Sequence, residues 1–135
     1  MANAKADYLR TALVDAVLRN TSYTSVATVY TALYTVAPTN STAGTEVAGG
    51  PGVNGYTRQA TTFKVQVTPG ATSNNGAVTF GPNITVDWGT VVATAVLDDP
   101  TAGNMLYYGT LAAPKTVSVG DSVSFADGAL TITET

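Results

Sequence analysis

Beyond residue 26 the chain consists of short runs of Thr, Val and Tyr, cut every few residues by Gly, Pro, Asn or Asp. This pattern constrains the fold more than any other feature. β-Branched and aromatic side chains suit half-buried pleated strands, and the breakers keep those strands short. The expected fold class is mainly β: an antiparallel β-sandwich, jelly-roll-like, with an N-terminal α-helix. Ala27 to Val36 reads as a strand stopped by Ala37-Pro38, with Tyr30 and Tyr34 on one face and Val29 and Leu33 on the other. Thr61 to Val67 alternates cleanly, placing Phe63, Val65 and Val67 together. Thr90 to Leu97 is apolar on both faces, which suits a central strand, and Asn104 to Leu111 reads as another. Asp127-Gly128 predicts a two-residue turn in a terminal hairpin, with Phe125 opposite Leu130 and Val123 opposite Ile132.

Ahead of the strands, Leu9, Leu13 and Val17 recur at four-residue steps, so residues 4 to 19 are expected to form a helix with one apolar face. Asp7 and Arg19 complement its dipole, and Asn20-Thr21-Ser22 ends it. So short a helix is marginal alone and should dock on a sheet or a neighbouring subunit. Residues 39 to 55 form a long connection containing Gly49-Gly50-Pro51-Gly52. It is expected to be a glycine-rich loop or an arm that orders on a partner, removable between Ser41 and Asn54 without loss of the fold. Residues 68 to 75 read as an ordinary mobile tip. No repeat or boundary interrupts the 135 residues, so one domain is expected.

Charged residues make up only 11% of the chain, against about 25% in typical domains. A surface with few ions to desolvate favours contact with other proteins. With a net charge of -3 and its six Lys and Arg scattered, the chain offers no basic stripe for nucleic acid. The start is too polar for a signal peptide, and no apolar run approaches the roughly 18 residues that span a bilayer, so a cytoplasmically made protein without a membrane partner is expected. The absence of His and Cys removes the commonest general base, thiol nucleophiles and most zinc ligands. Asp98-Asp99 reads as part of a turn, and the glycines lack the Gly-Lys-Ser/Thr ending of a phosphate loop. No catalytic residue, cofactor or metal is therefore expected. Trp88 reads as a core or interface anchor, and Glu46 and Arg58 flank the long connection in positions to pair across its base.

Several segments together resemble a family of small tailed-bacteriophage virion proteins, often labelled tail-fibre proteins. They are Tyr30-Thr-Ala-Leu-Tyr-Thr-Val-Ala-Pro-Thr39, Gly44-Thr-Glu-Val-Ala-Gly-Gly50, Tyr56-Thr-Arg-Gln59 with Phe63, Trp88-Gly-Thr90, Gly103-Asn-Met-Leu-Tyr-Tyr-Gly109, Pro114-Lys115, Val119-Gly-Asp121 and Gly128-Ala-Leu-Thr-Ile132. Pro51-Gly52-Val53-Asn54 looks like an insertion relative to that pattern. The resemblance implies a virion structural protein. Compactness and the lack of repeats favour a capsid decoration or cement protein, a homotrimer on the major capsid protein, over the alternative of a tail component such as a fibre adaptor or receptor-binding tip. The interface candidates are Leu9, Leu13 and Val17 on the helix, Glu46, Val47, Tyr56 and Arg58 around the long connection, and Trp88.

Overall fold

The computed structural model describes residues 4 to 134. A short strand β1 (Ala4–Lys5) leads into helix α1 (Asp7–Leu18), followed by β2 (Val29–Val36) and β3 (Thr45–Glu46). A single 3-10 turn, Val47–Gly49, precedes β4 (Gln59–Thr61), β5 (Ala71–Ser73), β6 (Val78–Phe80) and β7 (Gly89–Leu97). The long β8 (Met105–Val117), then β9 (Val123–Phe125) and β10 (Thr131–Thr133), complete the chain.

One antiparallel sheet runs in the order β1-β8-β7-β2-β3, with β4 also on the outer side of β2. The apolar β7 is central, as its two-faced pattern requires. Between the pairs Val91–Lys115 and Ala93–Thr110 the register shifts, so Val92 alone faces residues 111 to 114 of β8. Pro114, which has no N–H to donate, sits in that excursion. Two small ladders, β5–β10 and β6–β9, provide the rest of the β structure. The main core joins Leu33, Val91 and Val117 of the sheet to Val78, Phe80, Val123 and Leu130, closed by Val47, Tyr56 and Trp88. Its rings meet in a chain: Tyr56 stacks on Phe80 at 6.1 Å and meets Trp88 edge-on at 5.6 Å. Ala32, Tyr34, Ala93, Ala95 and Leu97 form a second cluster, on the face of β2 opposite Leu33.

The fold is mainly β and antiparallel with one N-terminal helix, as its residue pattern predicts, but several local expectations change. The terminal hairpin is absent: β9 pairs with β6, and β10 with β5. A turn does form, closed by the Ala129 N–H on the Ala126 carbonyl at 3.0 Å. Gly128 has φ of +80° but Asp127 does not adopt positive φ, so this is not the doubly left-handed turn that matches strand twist. The strands splay, and each finds another partner. The strand expected from Thr61 to Val67 ends at Thr61, where β2 begins at Val29 and gives β4 no further ladder. The chain then passes to β5 through a Phe63–Asn74 bridge, leaving Val65 and Val67 91% and 97% exposed.

Residues 39 to 55 are a loop folded onto the body and not a projecting arm. β3 pairs with β2, Val47 is fully buried, and the Trp88 indole N–H donates to the Asn54 carbonyl at 3.2 Å. Excising Ser41 to Asn54 would remove part of the core, so the fold would not survive it. The helix begins at Asp7, since Ala4–Lys5 pair with Tyr107 and Tyr108 of β8, and residues 71 to 73 of the expected tip form β5. Leu9 is buried, whereas Val17 is 76% exposed, so only the helix's first turns dock. Truncating Leu33 to Ala is expected to cost about 2–5 kcal/mol of stability in urea unfolding, while Val17→Ala should change it by less than ~0.5 kcal/mol.

Candidate functional site

The most highly organised polar group lies where the long loop returns to the sheet. β3 and β4 both pair with the outer edge of β2 but leave a gap between them at Leu33. The Leu33 N–H, with no strand opposite, donates to the Tyr56 hydroxyl at 3.0 Å. That hydroxyl donates in turn to Glu46 Oε1 at 2.7 Å. Arg58 binds Glu46 in two-pronged fashion, Nε to Oε1 at 3.0 Å and Nη2 to Oε2 at 2.9 Å. Its remaining nitrogen, Nη1, donates to the carbonyls of Asp99 and Ala102 at 2.9 and 2.7 Å. The two charged side chains are only 11% and 7% exposed. The ion pair expected from the sequence is thus present, and it locks the loop to the β7–β8 connection.

Burial, with the Glu46 charge adding to it, pushes the Tyr34 phenol up to about 12 and the Tyr56 phenol well above the ordinary range. Both stay neutral at any physiological pH, and Tyr56 remains a donor to Glu46. A recess of about 320 Å³ beside the pair is lined by Tyr34, Ala43, Leu97, Ala102 and Met105. With its acid and base already joined, the recess carries no uncompensated charge. The neighbouring acids hold loops: Asp98 accepts the Asn104 N–H, and Asp99 accepts those of Thr101 and Ala102. Hydrogen bonds from Ala102 and Thr101 hold the Asp99 carboxyl below its usual range. Gly103, at φ of +75°, lets that turn close against both acids, where a Cβ would collide with them.

Of the eight interface candidates, Leu9, Val47, Tyr56 and Trp88 are buried inside the fold and cannot meet a partner. Glu46 and Arg58 are nearly so, because they bond to each other. Leu13 is half-buried, and Val17 alone is open, beside Val14 and Leu18 on the free half of the helix. The sequence reading missed two other exposed apolar groups. One is Val65 with Val67. The second is a tip carrying Val53, Ile84, Val86 and Val119, on three loops tied together by Thr85 Oγ1 to the Asn54 carbonyl at 2.6 Å and by the Val119 N–H to Asp87 Oδ1 at 2.8 Å. Fully buried Asn83 organises this tip and Asn74 the base of the 126–130 turn, each through side-chain bonds to backbone. An Asn beside Gly or Pro signals a turn; nothing in such a pattern reveals that the amide is buried.

A protein-family model described as podophage GP4 fiber I protein gp80 matches residues 4 to 133. No curated protein matches the chain.

Removing one partner of the Glu46–Arg58 pair strands the other as a buried charge, so Glu46→Ala and Arg58→Ala should each cost about 3–5 kcal/mol. The double variant should cost clearly less than their sum, with a coupling of about 1–3 kcal/mol in urea unfolding. Alkali should also weaken the fold. The Tyr34 phenol keeps its proton to about pH 12 when folded but releases it near 10.0 when unfolded. Between those values the unfolded chain binds fewer protons, so stability is full below about pH 10 and declines as pH rises. Tyr34→Phe should make that decline shallower without abolishing it, because Tyr56 is raised as well.

Proposed function

The chain belongs to the podophage GP4 fiber I protein gp80 family, and from that membership we propose that it is a tail component of the phage particle, working by protein contact and not by catalysis. That it is a structural protein of a tailed-phage virion follows at the family level. The finer placement on the tail rests on one observation: a model named for a fiber protein covers 4 to 133, nearly the whole chain. This favours the fibre or adaptor reading over the capsid-cement role that compactness alone suggested.

The surface supports a contact role. Exposed apolar side chains cluster in three places among the described residues, the helix end, the segment around Val65 and the loop tip, with Tyr8, Val26 and Val36 exposed elsewhere. Single exposed apolar residues are ordinary, but clusters on well-braced elements mark places where other proteins can dock. The polar side chains clustered near the recess are bonded to one another and to backbone, which suits support and leaves no free acid–base pair for chemistry.

Purified particles separated into heads and tails, then probed with gold-labelled antibody and by mass spectrometry, should place the chain in the tail fraction. Label spread over the head would overturn the tail placement and restore the capsid reading.

A further inference from the structure

The segment Thr62-Phe-Lys-Val-Gln-Val-Thr68 has the alternation of a strand in sequence, yet among the described residues no strand pairs with one of its sides. Toward β5 it is held by the Lys64 N–H on the Ser73 carbonyl at 2.9 Å and the Asn75 N–H on the Thr62 carbonyl at 2.8 Å. The Thr72 hydroxyl also reaches the Lys64 carbonyl, at 2.6 Å. Because the backbone groups of residue 64 turn to β5, those of Val65 turn the other way. Among the described residues no hydrogen bond reaches the backbone of Val65, Gln66 or Val67. Both valine side chains lie almost wholly in solvent, at 91% and 97%. An open, apolar edge of this kind is a template for another strand.

We propose that this edge pairs with the same edge of a second copy of the chain, antiparallel and centred on Val65. The residues around that centre are self-complementary by type: Phe63 mirrors Val67, Lys64 mirrors Gln66, and Thr62 mirrors Thr68. A two-fold pairing therefore sets apolar against apolar and polar against polar, and puts Lys64 opposite Gln66 of the other copy and not opposite another lysine. The one cation on the edge is already compensated, since Lys64 Nζ sits 2.9 Å from Asp127 Oδ2 of its own chain. Two copies can approach without an uncompensated positive charge between them. The pairing satisfies the outward N–H and C=O of Val65 and buries the valines that the monomer leaves wet.

Five or so paired residues bury well under the ~800 Å² per partner of a standard interface, so the isolated contact is weak and becomes strong only where other contacts hold copies together. The inference does not depend on where on the particle the protein sits.

Sedimentation equilibrium of the full chain at rising concentration should show a reversible monomer–dimer equilibrium. Val65→Lys, which sets lysine against lysine at the two-fold, should weaken dimerisation at least tenfold while leaving the circular dichroism spectrum unchanged. Register is tested by cross-linking, since the chain has no native cysteine. Two Cys replacing Val65 would lie about 5.5 Å apart across the axis and oxidise readily to a dimer. Two replacing Val67 would lie on the order of 13 Å apart and should not. A chain that stays monomeric at every concentration, dimerisation indifferent to Val65→Lys, or equal cross-linking of Val65→Cys and Val67→Cys would each overturn the proposal.

Discussion

The carboxylate of Glu46 is the point through which the long loop, the sheet edge and the β7–β8 connection hold one another. β2 lacks a continuous partner on its outer side, and a buried backbone N–H without an acceptor is costly. Tyr56 supplies that acceptor, but its phenol must then be anchored, and Glu46 anchors it. Glu46 in turn is nearly buried and is matched by Arg58, whose last donors reach across to residues 99 and 102. Each bond in this series creates the need for the next. The outcome is that Val47 and the Tyr56 ring, both in a segment rich in glycine, pack as firmly as any strand residue.

The same series explains which parts of the molecule were legible in the sequence. β2, β7 and most of β8 could be read because their apolar patterns are long enough to define a face. The Glu46–Arg58 pair could be read because charges are so scarce that two flanking one loop stand out. Strand partners could not. Val123, Phe125 and Leu130 do pack into or against one core, as the hairpin pattern required, but the first two reach it from the β6–β9 ladder and Leu130 from the turn ahead of β10. Side-chain alternation specifies which way a residue faces, not which neighbour its backbone meets. The candidate surface suffered most, because four of its residues were chosen as conspicuous aromatic, branched or charged groups near a presumed arm. Once the arm folds back, those features become reasons for burial.

Low charge has a different meaning in this light. Five of the six Lys and Arg side chains, those at 5, 10, 19, 58 and 64, meet a carboxylate in their own chain. Among the described residues only the pair at Glu46 is buried; the others are more exposed pairs of small energetic value. Their effect is on the surface field: nearly every cation is neutralised locally, so little long-range repulsion or steering remains. A protein of this kind can be brought close to copies of itself or to other uncharged surfaces, with specificity left to shape and to backbone pairing.

Edges decide how that closeness is used. The outer side of β8 beyond its contact with β1 is open, and it carries Pro114 and Lys115 in a register-shifted stretch. Pro114 cannot donate, and the irregularity prevents a flat approach, so this edge resists pairing. The edge at Val65 is less guarded. Its sequence alternates, no proline lies between Thr62 and Thr68, the chain bends only at Val67 and Thr68 ahead of Pro69, and its lysine is bound back to Asp127. Two open edges within one small molecule thus receive opposite treatment. An edge left apolar and electrically quiet around Val65 offers what strand addition requires: free main-chain groups, side chains that gain by burial, and no charge to desolvate.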